Sequence, residues 1–586
     1  MKRYILGITL FIIFRAGYSQ NIGDYRSIND GSWSSSANWE VYDGTSWISA
    51  TDYPGQNSSP AEITIGNSVV LDVSPAFNLG KLIINGTLIT DNSDRTLVIS
   101  KLIINGSYDL GRTILSVSDT TFVYGTLSDG DDNGSAVFNS LIYIDATGSF
   151  STANASAFTF GGGITNYGTF SKTGTGTITF SNRQTLNNAG SNAMTINGSI
   201  TSNSKLTIIN STASITFGNA FTSNDSLWVN NLAQVIFSGA FTNNGVLTTN
   251  NSANITFSNT FNTTANVMLG GSADITFNNN FTITGAAVVT NQNTAGVTIA
   301  GTLNGTVAAS TWTNDLNSTL IYRGTALAPM NTGTLNASAA NNTVIYESTN
   351  NIFKNTTYHH LILRLLATAA GNVQRTLTAN LTINGNLTIE SLHGTYTNEL
   401  NPAGYNLTIA GTTNINARGQ VYYRTNGGVN TFGGKVTVAA NGIFNTTAST
   451  TANTVVFQGG IENSGTFSTN VVTFNTNTQT VIPNASITFG GNAAINSNVI
   501  FENGAGTVTF SGTVTIANDI IMTNRNQNTN GLLITGILNG SNANSTFYND
   551  NNAFLTYNNA TVPMGTGVFD VDQTGNTIFY NLNGAQ

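Results

Sequence analysis

Apolar residues recur along this chain with two superimposed periods. The short period is two. Ile215-Thr216-Phe217 and Leu227-Trp228-Val229 alternate in this way, which is the pattern of a strand with one face turned inward. The long period is twenty. Ile215, Val235, Ile255 and Ile275 fall in one column, followed two residues later by Phe217, Phe237, Phe257 and Phe277. Phe221, Phe241, Phe261 and Phe281 form a further column. A fixed period of this length marks a solenoid, in which each repeat buries its apolar face against its neighbours.

Between the strands sits a recurring corner. An apolar residue is followed by three polar residues, usually with Gly or Asn among them, and then by another apolar residue. Ile84/Leu88, Phe217/Phe221, Ile383/Leu387, Phe510/Val514 and Ile534/Leu538 are instances. Gly and Asn suit a sharp bend because they tolerate left-handed backbone angles. Each rung of about twenty residues therefore predicts three short strands, stacked in parallel at ~4.8 Å per rung. The fold class is all-β, a parallel β-helix wound right-handed as crossover connections are. Phe columns are expected inside, and Asn ladders at the turns from Asn230 with Asn250 and from Asn231 with Asn251.

The period of twenty also appears early, where Lys81-Leu-Ile-Ile-Asn-Gly86 returns as Lys101-Leu-Ile-Ile-Asn-Gly106. A larger repeat lies over it. Gln292-Asn-Thr294, Leu303-Asn-Gly305 and the segment from Ser310 to Asp315 all return 235 residues later. Upstream, the segment from Phe160 to Phe170 matches that from Phe457 to Phe467 at an offset of 297. The two offsets differ by about three rungs, which a stack accommodates because each rung touches only its neighbours. Four segments follow: 1–19, 20–75, 76–345 and 346–586. The first is a secretory leader, with Lys2 and Arg3 ahead of an apolar run from Tyr4 to Phe14 that is too short to span a bilayer. The second is an N-terminal cap that holds Trp33, Trp39 and Trp47. The last two are the successive long repeats. The second stops at Gln586 inside its unit, so further rungs or a C-terminal sorting domain are expected beyond it.

Composition narrows the partners. Charged residues make up 8 % of the chain, against about 25 % in an ordinary globular domain. Net charge is −8, and Lys205 is the one basic residue between Arg183 and Arg323. Nucleic acid is excluded as a partner on that ground, since phosphates need clustered Lys and Arg. With no cysteine there is no disulfide framework and no thiolate metal site. No segment of the mature chain is apolar enough to cross a membrane as a helix.

Trp33 and Trp39, Tyr53-Pro-Gly55, Ile63-Thr-Ile65, Val69-Val-Leu71-Asp72 and Leu82-Ile-Ile-Asn-Gly86-Thr-Leu88 together resemble a G8-like domain. The remainder, with phrases such as Asn380-Leu-Thr-Ile-Asn-Gly-Asn-Leu-Thr-Ile389, resembles the secreted β-solenoid surface proteins exported as type IX secretion cargo. The resemblance implies secretion or attachment to the outer cell surface, and adhesion-like roles.

Candidate chemistry is sparse. Glycosidase-like β-helices need two ionisable groups converging on one face. Between Asn133 and Asn342 the only acids are Asp145, Asp225, Asp274 and Asp315, and they do not share a column at a spacing of twenty. His359, His360 and His393 form no ligand spacing. No catalytic residue is assigned. Asp129-Gly-Asp131-Asp132-Asn133-Gly134 fits the first half of a calcium loop but lacks the twelfth-position Glu. Asp129, Asp131, Asn133 and Asp145 are the candidate calcium ligands, and no other cofactor is expected. Trp33, Trp39 and Trp47 are candidate sugar-stacking residues, with a core role as the alternative. The leading expectation is a secreted structural or adhesive stalk that contacts an extracellular surface or glycan. The alternatives are a carbohydrate-binding or carbohydrate-cleaving β-helix, and an ice- or mineral-binding array built on Thr222, Thr242 and Thr282.

Overall fold

The computed structural model describes residues 20–131, 134–349, 351, 353–425, 427–447 and 453–581. The leader segment 1–19 lies outside the described residues. Among those described the protein is all-β. The one helical segment is a 3-10 turn, Ser36–Asn38. No helix of the described residues is long and apolar enough to cross a membrane. The chain divides into two compact units, 1–203 and 204–586.

The first unit opens with a small antiparallel layer. Tyr25–Ser27 pairs antiparallel with Trp39–Tyr42, which pairs antiparallel with Trp47–Ser49. Tyr25–Ser27 also pairs parallel with Glu62–Ile65, which joins the cap to the stack. Parallel stacking thus reaches back into the cap segment. Three ladders then run through the unit. One stacks Glu62–Ile65, Leu79–Ile84 and the second half of Arg95–Ile104, and continues to Thr121–Val123, Ile142–Ile144 and Ile164–Asn166. A second runs from Ser68–Leu71 through Thr87–Thr90, Ser107–Asp109 and Thr126–Asp129 to Ser149–Thr152 and Thr169–Lys172. A third holds Thr113–Val117, Ser135–Phe138, Ala157–Phe160 and Ile178–Phe180. Alternate residues point inward, so Leu88, Tyr108, Leu127, Phe150 and Phe170 make one buried column.

The second unit shows the period of twenty most clearly. Ile215–Phe217, Val235–Phe237, Ile255–Phe257 and Ile275–Phe277 lie in register. Phe217, Phe237, Phe257 and Phe277 stack nearly parallel with centroids 4.9, 4.9 and 4.6 Å apart. Phe221, Phe241, Phe261 and Phe281 stack beside them at 5.2, 5.0 and 4.4 Å. The two columns meet edge to face, as at Phe237–Phe241, which suits the ring quadrupoles. Each buried ring adds about 2 to 3 kcal/mol of apolar burial.

Asn231 and Asn251 form the anticipated ladder, and Asn210 extends it. Each amide donates to backbone rather than to its neighbour's side chain. Asn231 Nδ2 reaches Ala233 O at 2.9 Å and Ala253 O, one rung on, at 2.8 Å. Asn251 repeats this with Ala253 and Ala273. Asn230 and Asn250 differ from expectation: they face outward and are exposed, because strand alternation turns neighbouring residues to opposite sides.

Corner glycines serve in two ways: Gly163, Gly198 and Gly460 take the left-handed angles expected, φ 94, 107 and 86, whereas a second set does not. Gly86, Gly106 and Gly125 have no positive φ. They stack instead so closely that a Cβ on Gly106 would lie 2.0 Å from Gly86 O, and one on Gly125 1.9 Å from Gly106 O. The spacing of the rungs, not a left-handed backbone, excludes a side chain there.

Rungs are not uniformly twenty residues long. Tyr322 aligns with Tyr346, Tyr346 with Leu363, Leu363 with Ile389 and Ile389 with Ile415. The rung length therefore ranges from 17 to 26 in this stretch. Near the junction of the two long repeats the ladder through Thr334–Asn336 thins to the single parallel bridges Ala337–Tyr358 and Tyr358–Ile383 before Leu381–Ile383, a ladder begins at Val373–Thr376, and the ladder through Thr343–Tyr346 and His360–Leu365 continues. The long repeat is real in three dimensions. Asn291 donates to Asn314 at 2.6 Å and Asn524 to Asn549 at 2.8 Å, both buried. Met330 and Met564 share a left-handed backbone, φ 54 and φ 53. The copies are turned by one side, for Thr311–Asn314 and Thr546–Asn549 lie in different ladders.

Candidate functional site

The cap tryptophans are mostly core. Trp33 and Trp39 are 0 % exposed, their rings meeting edge-on at 5.0 Å. Trp33 Nε1 donates to Pro54 O at 3.1 Å and Trp39 Nε1 to Trp33 O at 2.9 Å. Neither ring offers a face to a sugar. Trp47 is half-buried against Tyr42, and the Arg26 guanidinium lies 4.6 Å over its ring. The three do not make a joint stacking surface.

The proposed calcium ligands are likewise not brought together. Asp129 ends its strand pointing inward, 6 % exposed. Asp131 lies at the surface, 4.0 Å from Arg112, which also binds Asp94 at 2.9 Å. Asp145 belongs to a different corner, at the far end of the next strand, where Thr147 Oγ1 donates to it at 3.3 Å. Asn133 lies outside the described residues, as does Asp132. Among the described residues no three His, Cys, Asp or Glu converge as metal ligands.

Asp129 is nonetheless unusual. Neither carboxylate oxygen has a hydrogen-bond partner among the described residues, and Tyr108 Oη and Thr152 Oγ1, one rung to either side in the same buried region, lack partners too. Burial pushes its pKa up from 3.8 to about 6. Asp109 adds to that rise, while Lys172, the Ser156 hydroxyl and the Asp131 N–H pull the other way. Ser156 donates to Asp131 O at 3.1 Å rather than to the carboxylate.

Most carboxylates of the second unit are tied into stacking. Arg323, Glu347, Arg364 and Glu390 follow one another up a single outward column in alternating sign, with contacts of 2.7, 3.0 and 2.6 Å. Asn416 continues the column, donating to Glu390 at 3.0 Å. Glu347 is almost fully buried. Glu502, Arg525 and Asp550 repeat the device at 3.1 and 3.0 Å. Arg424 holds Glu399 through two bonds of 2.8 Å. This pair borders a polar cleft of about 560 Å³ whose outward residues include Gln374 and Gln420. The histidines serve turns: His360 Nδ1 accepts from Asn386 N at 3.0 Å, and His393 Nδ1 from Thr395 N and Tyr396 N at 2.9 and 3.0 Å.

Two exposed features escaped the period of twenty. Trp228 faces outward, with the Lys205 ammonium 3.3 Å above its ring. In the first unit Phe122, Tyr124, Tyr143 and Tyr167 form an outward aromatic patch. Phe122 and Tyr143 are register partners, their rings 5.9 Å apart. Tyr143 meets Tyr167 at 5.7 Å, and Phe122 lies parallel to Tyr124 at 6.2 Å. The spacing here is 21 and 22 residues, so the column is visible only once the inward residues Val123, Ile144 and Asn166 are aligned. The threonine column exists as anticipated, with Thr222, Thr242, Asn262 and Thr282 in register, Asn262 interrupting it.

Comparison with protein-family models, with curated proteins and with solved structures gave no match.

Proposed function

We propose that this protein is a secreted, non-catalytic structural element of an outer cell surface, a stack of rungs that spaces and presents an adhesive face. The observation that supports this reading is the use of charge. Glu347, Glu390, Glu399, Glu502 and Asp550 each bind an arginine of a neighbouring rung. A glycosidase would instead leave two carboxyls free to face a substrate. The alternating column also stiffens the stack, since Glu347 and Arg364 each lie between opposite charges above and below.

Two experiments test the reading. Residues 1–19 fused to a reporter direct export in a host with a secretory pathway, and cytoplasmic retention contradicts secretion. The full chain, coupled to beads, retains them on glycan- or mineral-coated surfaces under flow without releasing reducing sugar. Sugar release that disappears in Glu399→Gln or Glu390→Gln overturns the non-catalytic reading.

A further inference from the structure

Most aromatic rings of the described residues point into the stack. The patch on the first unit is an outward group that spans three successive rungs. Tyr124 and Tyr167 are 40 % and 43 % exposed, and Phe122 and Tyr143 are half-exposed on the outward side of their strands. Such a patch on a secreted surface ordinarily marks a contact site.

Its layout restricts what it contacts. The rings follow one another across three consecutive rungs, from Tyr124 and Phe122 through Tyr143 to Tyr167. The path is therefore linear and runs along the stacking direction, which suits an extended polymer. The electron-rich faces of Phe and Tyr attract partially positive C–H edges, and the pyranose ring presents these on its flat sides. Hydrogen-bonding groups border the rings. Asp145 stands between Tyr124 and Tyr167 in the corner column, as the successive bonds Tyr124 N–Ile104 O, Asp145 N–Val123 O and Tyr167 N–Ile144 O show. Its carboxylate, bound locally by Thr147, is placed to accept sugar hydroxyls. At the other end Lys101 lies 5.1 Å from the Phe122 ring. One cation and one anion leave the patch without net charge. That balance favours an uncharged ligand over an anionic polysaccharide or nucleic acid.

We propose that Phe122, Tyr124, Tyr143 and Tyr167, with Asp145, bind an extended neutral glycan lying along the first unit. The proposal rests on the adhesive reading and gives its ligand class. Stacking at successive rungs sets the length of the recognised segment: a glycan must cover all three rungs to use every ring, so trimers or longer chains bind and monosaccharides do not.

Affinity electrophoresis of the full chain through gels containing soluble neutral glucans, mannans or xylans tests it. Wild type is retarded by at least one of them, and a soluble oligosaccharide of that glycan competes. Tyr143→Ala with Tyr167→Ala weakens retardation about tenfold while leaving the thermal midpoint in place, because both side chains face solvent. Tyr124→Trp keeps or strengthens it. Asp145→Asn weakens it without requiring salt. No retardation by any neutral glycan, or retardation unchanged in the double variant, overturns the proposal. So does self-association of wild type that the double variant abolishes, since the face is then a contact between copies. If the double variant still holds beads to surfaces while wild type ignores every glycan, the adhesive reading survives and the glycan assignment falls.

Discussion

Asp129→Asn replaces a buried, unpartnered carboxylate by a neutral group of nearly the same shape. In the folded state burial raises the carboxyl from 3.8 to about 6, so the folded chain holds this proton more tightly than the unfolded chain. Below 3.8 both states are protonated and the group is neutral in its effect. Between 3.8 and about 6 the unfolded state ionises first, and stability falls as pH rises. Above about 6 the loss is complete. The shift corresponds to about 3 kcal/mol, or about 2 kcal/mol once partial screening by solvent is allowed for. The substituted amide does not ionise, so the variant is more stable than wild type by that amount at about pH 8 and equal to it at about pH 3.5. Urea unfolding of the full chain, followed by far-UV circular dichroism at both pH values, reads the difference. A variant that is less stable at high pH refutes the reasoning, because the charge is then wanted. Stabilisation of wild type by millimolar calcium, absent in the variant, refutes it in the same way and restores the metal reading of this turn.

Three further substitutions probe the stack. Gly106→Ala places a methyl 2.0 Å from Gly86 O and destabilises by about 3 kcal/mol in urea unfolding, where alanine for glycine at an unstrained site usually stabilises. Asn231→Ala removes one of two amide donors from each of Ala233 O and Ala253 O, which keep Asn210 and Asn251 respectively, and costs about 1 kcal/mol, seen also as faster hydrogen exchange in the two rungs it joins. Arg364→Met strips two contacts from the column and leaves buried Glu347 with Arg323 alone. A loss of about 2 kcal/mol is expected in urea unfolding at neutral pH.

The repetitive interior was legible because it depends on residues at fixed sequence spacing. The spacing alone places Phe217 to Phe277 and Phe221 to Phe281 in columns, and the Asn231 ladder follows from the same register. Trp33 and Trp39 could not be assigned between core and surface, since composition alone does not say which way a ring in a small cap points. The charged columns were hidden for a different reason. Arg323, Glu347, Arg364 and Glu390 are separated by 24, 17 and 26 residues, so only the observed hydrogen-bond register aligns them. The aromatic patch escaped for the same reason, its rungs being slightly longer than the regular repeat. Asp129 read as a metal ligand because its neighbours spell half a calcium loop. The strand it ends, Thr126–Asp129, instead turns its side chain inward by simple alternation.

Removal of one whole rung tests the account most directly. Deleting residues 235–254 brings Phe217 onto Phe257 and Phe221 onto Phe261, each pair in the register its neighbours already use. The shortened chain is predicted to fold with the strand spectrum of wild type and a thermal midpoint within a few degrees of it. Deleting residues 235–244, half a rung, sets strands against corners and is predicted to yield aggregated or unfolded protein. Equal tolerance of the two deletions, or failure of both, contradicts a stack built from interchangeable rungs.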